Sequence, residues 1–172
     1  MSQVSPIQLP QREQVIAATL ACIDQASINL DYTFESIPIV FDLKGRAAGM
    51  YKVSKARRVI RYNPYLFAKY FSENLSVTVP HEVAHYVVDV LYGIRNTQAH
   101  GKEWRSVMAM FNADASVTCC FDLEGIPTRH YQQFKYSCSC RTHRLTRIRH
   151  NRVLKGVRYH CRSCKQKLIA SV

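Results

Sequence analysis

His81 and His85 stand four residues apart with Glu82 beside the first, in His81-Glu82-Val83-Ala84-His85, and no other feature constrains the chain as tightly. Four residues make about one helical turn, roughly 6 Å along the axis, so on a helix the two imidazoles share a face and can grip one metal ion. Zinc suits such a pair, and Glu82 can then reach a zinc-held water as general base. Zinc brings the pKa of that water to about 7 and polarises a carbonyl, the two requirements of peptide-bond hydrolysis.

The flanks support a helix. Val79, Val83, Val87 and Val90 recur on one apolar face, Pro80 falls in the first turn where its missing N–H is harmless, and Gly93 is a natural stop. A catalytic zinc wants a third protein ligand and an open fourth position. His100, fifteen residues past His85, opens a second helical stretch in which Trp104, Val107, Met108 and Phe111 are spaced to pack inward. His100 is the favoured third ligand, and Glu103 competes with it. Asp89, one turn beyond His85, could orient a ligand through a hydrogen bond or stand as a solvated carboxylate.

A second ligand cluster lies near the C-terminus. Cys140-x2-His143 and Cys161-x2-Cys164 read as paired metal knuckles, hence a closed structural zinc site. Cys138 is an alternative ligand, because Cys138, Cys140 and His143 crowd into six positions. Cys22, Cys119 and Cys120 read as small packing residues. Seven cysteines, an odd number in paired spacing, and no evident signal peptide lead to the expectation of a reducing cytoplasm rather than disulfides. No apolar run approaches the roughly 20 residues of a membrane span, so no membrane partner is expected.

Charge divides the chain sharply. Residues 1–124 carry 12 Lys+Arg and 12 Asp+Glu, whereas residues 125–172 carry the other 12 cations and no acid, so the net charge of +12 sits on the knuckle segment. Such a stripe is an electrostatic footprint for a phosphate backbone. Arg147 and Arg149 would share one face of a strand, and Arg141, Arg144, Arg152, Lys155 and Arg158 would extend the patch along a hairpin. Tyr131, Phe134, Tyr136 and Tyr159 are candidates for stacking on bases or, more simply, for packing beneath the knuckles.

The expected organisation is α+β: a domain over 1–128 with helices and a small three-stranded sheet, then a basic zinc ribbon over 129–172. A helix over about 11–26 faces Val15, Ile16, Thr19, Leu20 and Ile23 inward. Strands follow at Ile37–Phe41, Gly49–Val53 and Arg57–Tyr62, then a helix at about 64–73. Short strands before a metal-binding helix suit a zincin, whose edge strand can hold extended substrate. In the ribbon, strands within Leu145–Tyr159 join the knuckles.

The HEVAH motif, the segment Ala99-His100-Gly101-Lys102-Glu103-Trp104, and the preceding Gly49-Met50-Tyr51 and Val59-Ile60-Arg61-Tyr62-Asn63-Pro64 together resemble the SprT family, whose eukaryotic relatives include the Spartan protease. The resemblance implies a zinc metalloprotease with His81, His85 and His100 as ligands and Glu82 as catalytic acid/base. For the Spartan branch it also implies DNA-stimulated cleavage of proteins crosslinked to DNA. The expectation is therefore a monomeric cytoplasmic endopeptidase, with nucleoid association as a variant, holding one catalytic and one structural Zn²⁺. Its partners would be single-stranded or damaged DNA and the proteins bound there. The competing expectation is a non-catalytic zinc protein that binds nucleic acid, and a third is a zinc hydrolase acting on a non-peptide amide.

Overall fold

The computed structural model describes residues 3–55, 57–115, 121–128 and 132–171. The chain divides into two compact units, Met1–Thr128 and Arg129–Val172.

In the first unit, α1 (Leu9–Asn29) buries Val15, Thr19, Ile23 and Ala26, spaced four, four and three apart along one face. Ile16 and Leu20 flank that face and are only half-buried. Three strands follow: β1 (Ile39–Val40), β2 (Gly49–Ser54) and β3 (Arg57–Tyr62). They form a mixed sheet in the order β1-β3-β2, with β1 parallel and β2 antiparallel to the central β3. β2 is thus an edge strand, and its side away from β3 has no strand partner among the described residues.

Asn63 caps the next helix, α2 (Pro64–Lys69), its Oδ1 accepting from the amides of Tyr65 and Leu66. The expected helix to residue 73 breaks at Tyr70, where φ is −135°. The chain resumes in the short α3 (Phe71–Glu73) and a π-turn at Asn74–Thr78, which runs directly into α4 (Val79–Tyr92). Asn74 braces this junction. Its Nδ2 donates to the carbonyls of Leu66 and Tyr70, and its Oδ1 accepts from Thr78 Oγ1 at 2.7 Å.

α4 is the axis of the unit. It packs against α1, β2 and α5 (Lys102–Met110), with Val79, Val83, Ala84 and Val87 wholly buried. Full burial of a valine side chain contributes about 1.5–3 kcal/mol, so this face alone commits the helix to its place. Gly93 ends it at φ 81°, a left-handed conformation that glycine adopts without a side-chain penalty.

In the second unit, β4 (Gln133–Ser137) and β5 (Thr142–Thr146) make a hairpin, and β6 (Ile169–Ala170) adds to the other side of β4. Tyr136, Leu145, Cys161 and Leu168 form its small core. The expected strands within Leu145–Tyr159 are replaced by the last residues of β5 and a helix, α6 (Arg147–Leu154). The hairpin closes across the first knuckle instead, and the period in α6 is helical. His150 and Val153, three apart, are its half-buried positions, and His150 stacks on Phe134 at 3.6 Å and hydrogen-bonds Tyr136 Oη at 2.9 Å. No helix among the described residues is long and apolar enough to cross a membrane.

Candidate active site and metal centres

α4 delivers His81 and His85 from successive turns, and His100 arrives from the segment between α4 and α5. His100 takes φ 59°, unusual for a side chain with a Cβ, and Gly101 then caps α5. The three Nε2 atoms form a near-equilateral triangle, 3.2 Å from His85 to His81 and 3.1 Å from His100 to each. Trp104, buried in α5, backs all three rings at centroid distances of 4.8, 5.7 and 4.6 Å, and its Nε1 donates to the His81 carbonyl at 3.3 Å.

This triangle fits a metal ion on its own chemistry. A ring nitrogen is either donor or acceptor, so among three in mutual contact at least two must be alike and unpaired. A cation that takes all three lone pairs removes the conflict. The sides are also close to the edge, about 3.3 Å, of a tetrahedron of nitrogens roughly 2.0–2.1 Å from zinc. Burial lowers the pKa of His81 to about 4 and of His85 to about 3, with the neighbouring imidazoles adding to the effect. Both are therefore neutral at pH 7, the form that ligates. Glu103 is outside this group, which among the described residues holds His81, His85 and His100.

Glu82 is buried beside the triangle, at 6% exposure, and its Oε2 accepts from the Tyr51 amide at 2.6 Å. Burial lifts its pKa to about 7 against the opposing pull of that hydrogen bond. Gly49 makes room for it: a Cβ there would lie 2.6 Å from Glu82 Cγ and Oε1 and 2.7 Å from Thr78 Cγ2. Sequence reasoning did not assign Gly49 or Tyr51 a role in the site. Their signals were a glycine at a strand start and a place in the segment that carries the family resemblance, neither of which reveals what faces them.

Asp89 is not a solvated carboxylate, and its hydrogen bonds go to no histidine directly. It is buried, and accepts from Tyr51 Oη at 2.7 Å, Arg58 Nε at 2.8 Å and the Ile94 amide at 2.9 Å. Burial alone would raise its pKa, but these three donors outweigh it and hold the carboxyl below its usual value.

Cavities of about 330 and 250 Å³ flank the triangle and share Gly49, His81, Glu82 and His100. The first runs between the edge of β2 at Met50 and Tyr51 and the loop at Ile94–Ala99; the second reaches Arg46, Val77 and Phe121. A cleft thus passes across the histidines along an edge strand.

The second unit gathers Cys138, Cys140, Cys161 and Cys164, with all four sulfurs within 4.8 Å of one another. Cys138 takes the place expected for His143. His143 lies in β5, where the pleat fixes its direction, whereas Cys138 sits in the turn, its amide bonded to the Arg141 carbonyl, and swings inward. His143 Nε2 remains beside Cys138 Sγ at 3.3 Å. The Cys161 thiol is brought down to about 5, chiefly by the backbone amide of Cys164, which favours the thiolate that binds metal. Four soft donors of this kind fit a closed structural zinc site.

The basic side chains do not form one stripe. Arg147 and Arg149 lie in α6, where two residues turn the helix by about 200°, so they face apart rather than together. A cavity of about 440 Å³ instead collects Arg141, Arg144, Arg149 and Arg162 with His143 and Tyr159. Arg141 is tied there to Ser163 Oγ at 2.5 Å, with Cys161 Sγ at 4.0 Å. Arg147, Arg152, Lys155 and Arg158 are exposed outside the cavity. Arg162, between the second-knuckle cysteines, was not among the expected contacts. Tyr136 is core, Phe134 is covered by His150, and Tyr159 alone of the described candidate aromatics lines the cavity. Tyr131, Cys119 and Cys120 lie outside the described residues.

The first unit therefore defines an α+β protein with an HExxH helix and a three-histidine metal-binding group. The chain belongs to the SprT-like family, whose model matches residues 20–131. It is similar to a protein named SprT from Vibrio parahaemolyticus, 37% identical over 149 residues and covering 86% of each chain. A SprT protein from Glaesserella parasuis is 34% identical over 152 residues, 87% of this chain and 93% of its own; one from Shewanella oneidensis is 31% identical over 159 residues, 91% and 97%. No solved structure matches the chain significantly.

Proposed function

We propose that this chain is a cytoplasmic zinc-dependent endopeptidase, zincin-like in its first unit, that cuts proteins held on nucleic acid. The observation that carries the reading is the triangle of His81, His85 and His100 with buried Glu82 beside it, set in a cleft along the edge of β2. Zinc, when bound by the three histidines, would polarise the scissile carbonyl and acidify the attacking water.

The chain's own groups supply the rest. Glu82 takes a proton from that water and returns it to the leaving amine, work suited to a carboxylate whose proton affinity lies near neutrality. The Tyr51 amide fixes one carboxylate oxygen, and Glu82 lines both cavities beside the histidines. An extended substrate segment can add to the unpaired edge of β2, so that main-chain hydrogen bonds hold it across the histidines.

The ribbon unit supplies the nucleic-acid contact. Its arginine-lined cavity has no acidic residue anywhere in residues 125–172 to compete for the guanidinium groups. A closed, purely structural first site would need a fourth protein ligand, and Glu103 does not join the group.

The test is proteolysis of a DNA-binding protein by zinc-loaded wild type and Glu82→Gln, with and without single-stranded DNA. Cleavage by wild type alone, increased by DNA, is the expected outcome. Intact substrate in every lane, with zinc in both sites and DNA bound, would refute the protease reading.

A further inference from the structure

Asp89 gathers donors from three separate segments onto one carboxylate. Tyr51 Oη belongs to β2, Arg58 Nε to β3, and the Ile94 amide to the turn that follows α4. Each oxygen is used: Oδ2 takes Tyr51 and Arg58, Oδ1 takes Ile94. The Arg58 guanidinium cancels the charge, so Asp89 lines the cleft without offering it a free anion.

Two of these segments lead straight to the site. Tyr51 carries Asp89 on its hydroxyl and Glu82 on its amide, at 2.7 and 2.6 Å, so its ring spans the distance between the two carboxylates. Ile94 opens the short loop that ends at His100, the one ligand outside α4 and held at a left-handed φ. That loop has few other anchors: Asn96 bonds back to Gly93 and Tyr92, and Gly101 to Gln98.

We infer that Asp89 is a positioning residue with two limbs, one through Tyr51 that aims Glu82 and one through Ile94 that sets His100 against His81 and His85. The inference rests on the reading of this site as catalytic for its first limb only. The second concerns metal retention and stands independently of any activity. A simple helix staple would need one of these bonds, and would have no reason to join the partner of the base to the loop of the third ligand.

The limbs separate experimentally. In the full chain, cobalt can replace zinc at both centres, and the nitrogen-ligated and thiolate-ligated ions differ in spectrum, so the cysteine centre serves as an internal reference. Chelator competition on the same samples gives the affinity of the histidine site. Asp89→Ala should weaken that affinity by about 10- to 100-fold and alter the cobalt spectrum of the histidine site alone. Tyr51→Phe should leave affinity unchanged while kcat on an unfolded protein substrate drops about tenfold or more, with KM little moved. Asp89→Asn keeps an oxygen for the Ile94 amide but turns an NH₂ toward Arg58, so it should rescue metal affinity and not kcat.

A folded Asp89→Ala protein with wild-type metal affinity and cobalt spectrum would overturn the inference. So would losses that simply follow urea stability across the three variants. If wild type cuts nothing, the protease reading and the Tyr51 limb fall together, while the metal measurements still decide the His100 limb.

Discussion

Gly49 faces Glu82 so closely that a Cβ on it would stand 2.6 Å from both Cγ and Oε1 of the glutamate. The backbone of β2 can approach α4 only because position 49 has no side chain, and that approach is what brings the Tyr51 amide within 2.6 Å of the carboxylate. A glycine at a strand start, ordinarily a weak packing position, here fixes where a buried acid points.

Gly49→Ala should therefore act on Glu82 and not on the metal. The methyl crowds both the Glu82 side chain and the neighbouring Thr78 methyl, and a displacement on the order of 1 Å at a reacting group can cost about 100-fold in rate. The expected result is a kcat/KM lower by about that factor with zinc content unchanged at both centres. Kinetics and metal analysis on one preparation check it. Wild-type turnover would show that Glu82 can relax without loss.

Asp89 gives the first unit an acid-sensitive clamp. Its folded-state carboxyl is held below the usual value, so its contribution to stability is fully present above the unfolded pKa of about 3.9 and is lost as pH falls through the folded value. Asp89→Asn should thus destabilise the unit at pH 7, by about 1–3 kcal/mol for the buried donors left poorly matched. The gap to wild type should begin to narrow below about pH 4 and go on narrowing as pH falls through the lowered folded value. Urea midpoints of both proteins across pH 3–7, with chelator present so that zinc release does not contribute, measure the gap. A difference that stays constant into acid would argue against the ionised carboxylate as its source.

How legible this was depends on how local each cause is. α4 could be read directly, since the valine repeat, Pro80 and Gly93 act within the helix itself, and four-residue spacing alone places His81 and His85 together. The strands at Gly49 and Arg57 were equally local. The bonds of Tyr51 to Glu82 and of Arg58 to Asp89 each span 31 residues, and nothing in a linear pattern shows which donor a buried carboxylate will meet. The ribbon misled for another reason. Arg147-Ile148-Arg149 alternates like a strand, but only the pair His150 and Val153, three apart, reaches the core, and that pair sets the helical period.

The choice between Cys138 and His143 is decided by metal count. With the four cysteine sulfurs mutually within 4.8 Å, Cys138→Ala should lose a metal bound at the cysteine centre and His143→Ala should retain it. Because folding of a small unit with so few buried residues draws on metal binding, Cys138→Ala should also unfold residues 129–172 while leaving the first unit intact. Zinc analysis with near-ultraviolet spectroscopy of Tyr136 and its neighbours follows both effects. Zinc loss from His143→Ala with none from Cys138→Ala would reverse the assignment.

If the second unit binds nucleic acid as proposed, the affinity should come from its arginine-lined cavity and not evenly from all its cations. Arg144, Arg149 and Arg162 converge there, and Tyr159 adds a ring on which an unpaired base could stack. Arg147 points away from Arg149 on α6, and Arg152 and Lys155 stay outside the cavity. Releasing condensed counterions makes the logarithm of affinity fall with the logarithm of salt, with a slope of about −0.7 for each phosphate neutralised on a single strand. Arg144→Ala with Arg149→Ala should flatten that slope by about 1.4, the value for two contacts, whereas Arg147→Ala with Arg152→Ala should change it much less. Fluorescence anisotropy on an oligonucleotide over a salt series gives both slopes. Equal flattening by the two pairs would mean that the ribbon binds through diffuse charge, and that the cavity selects nothing.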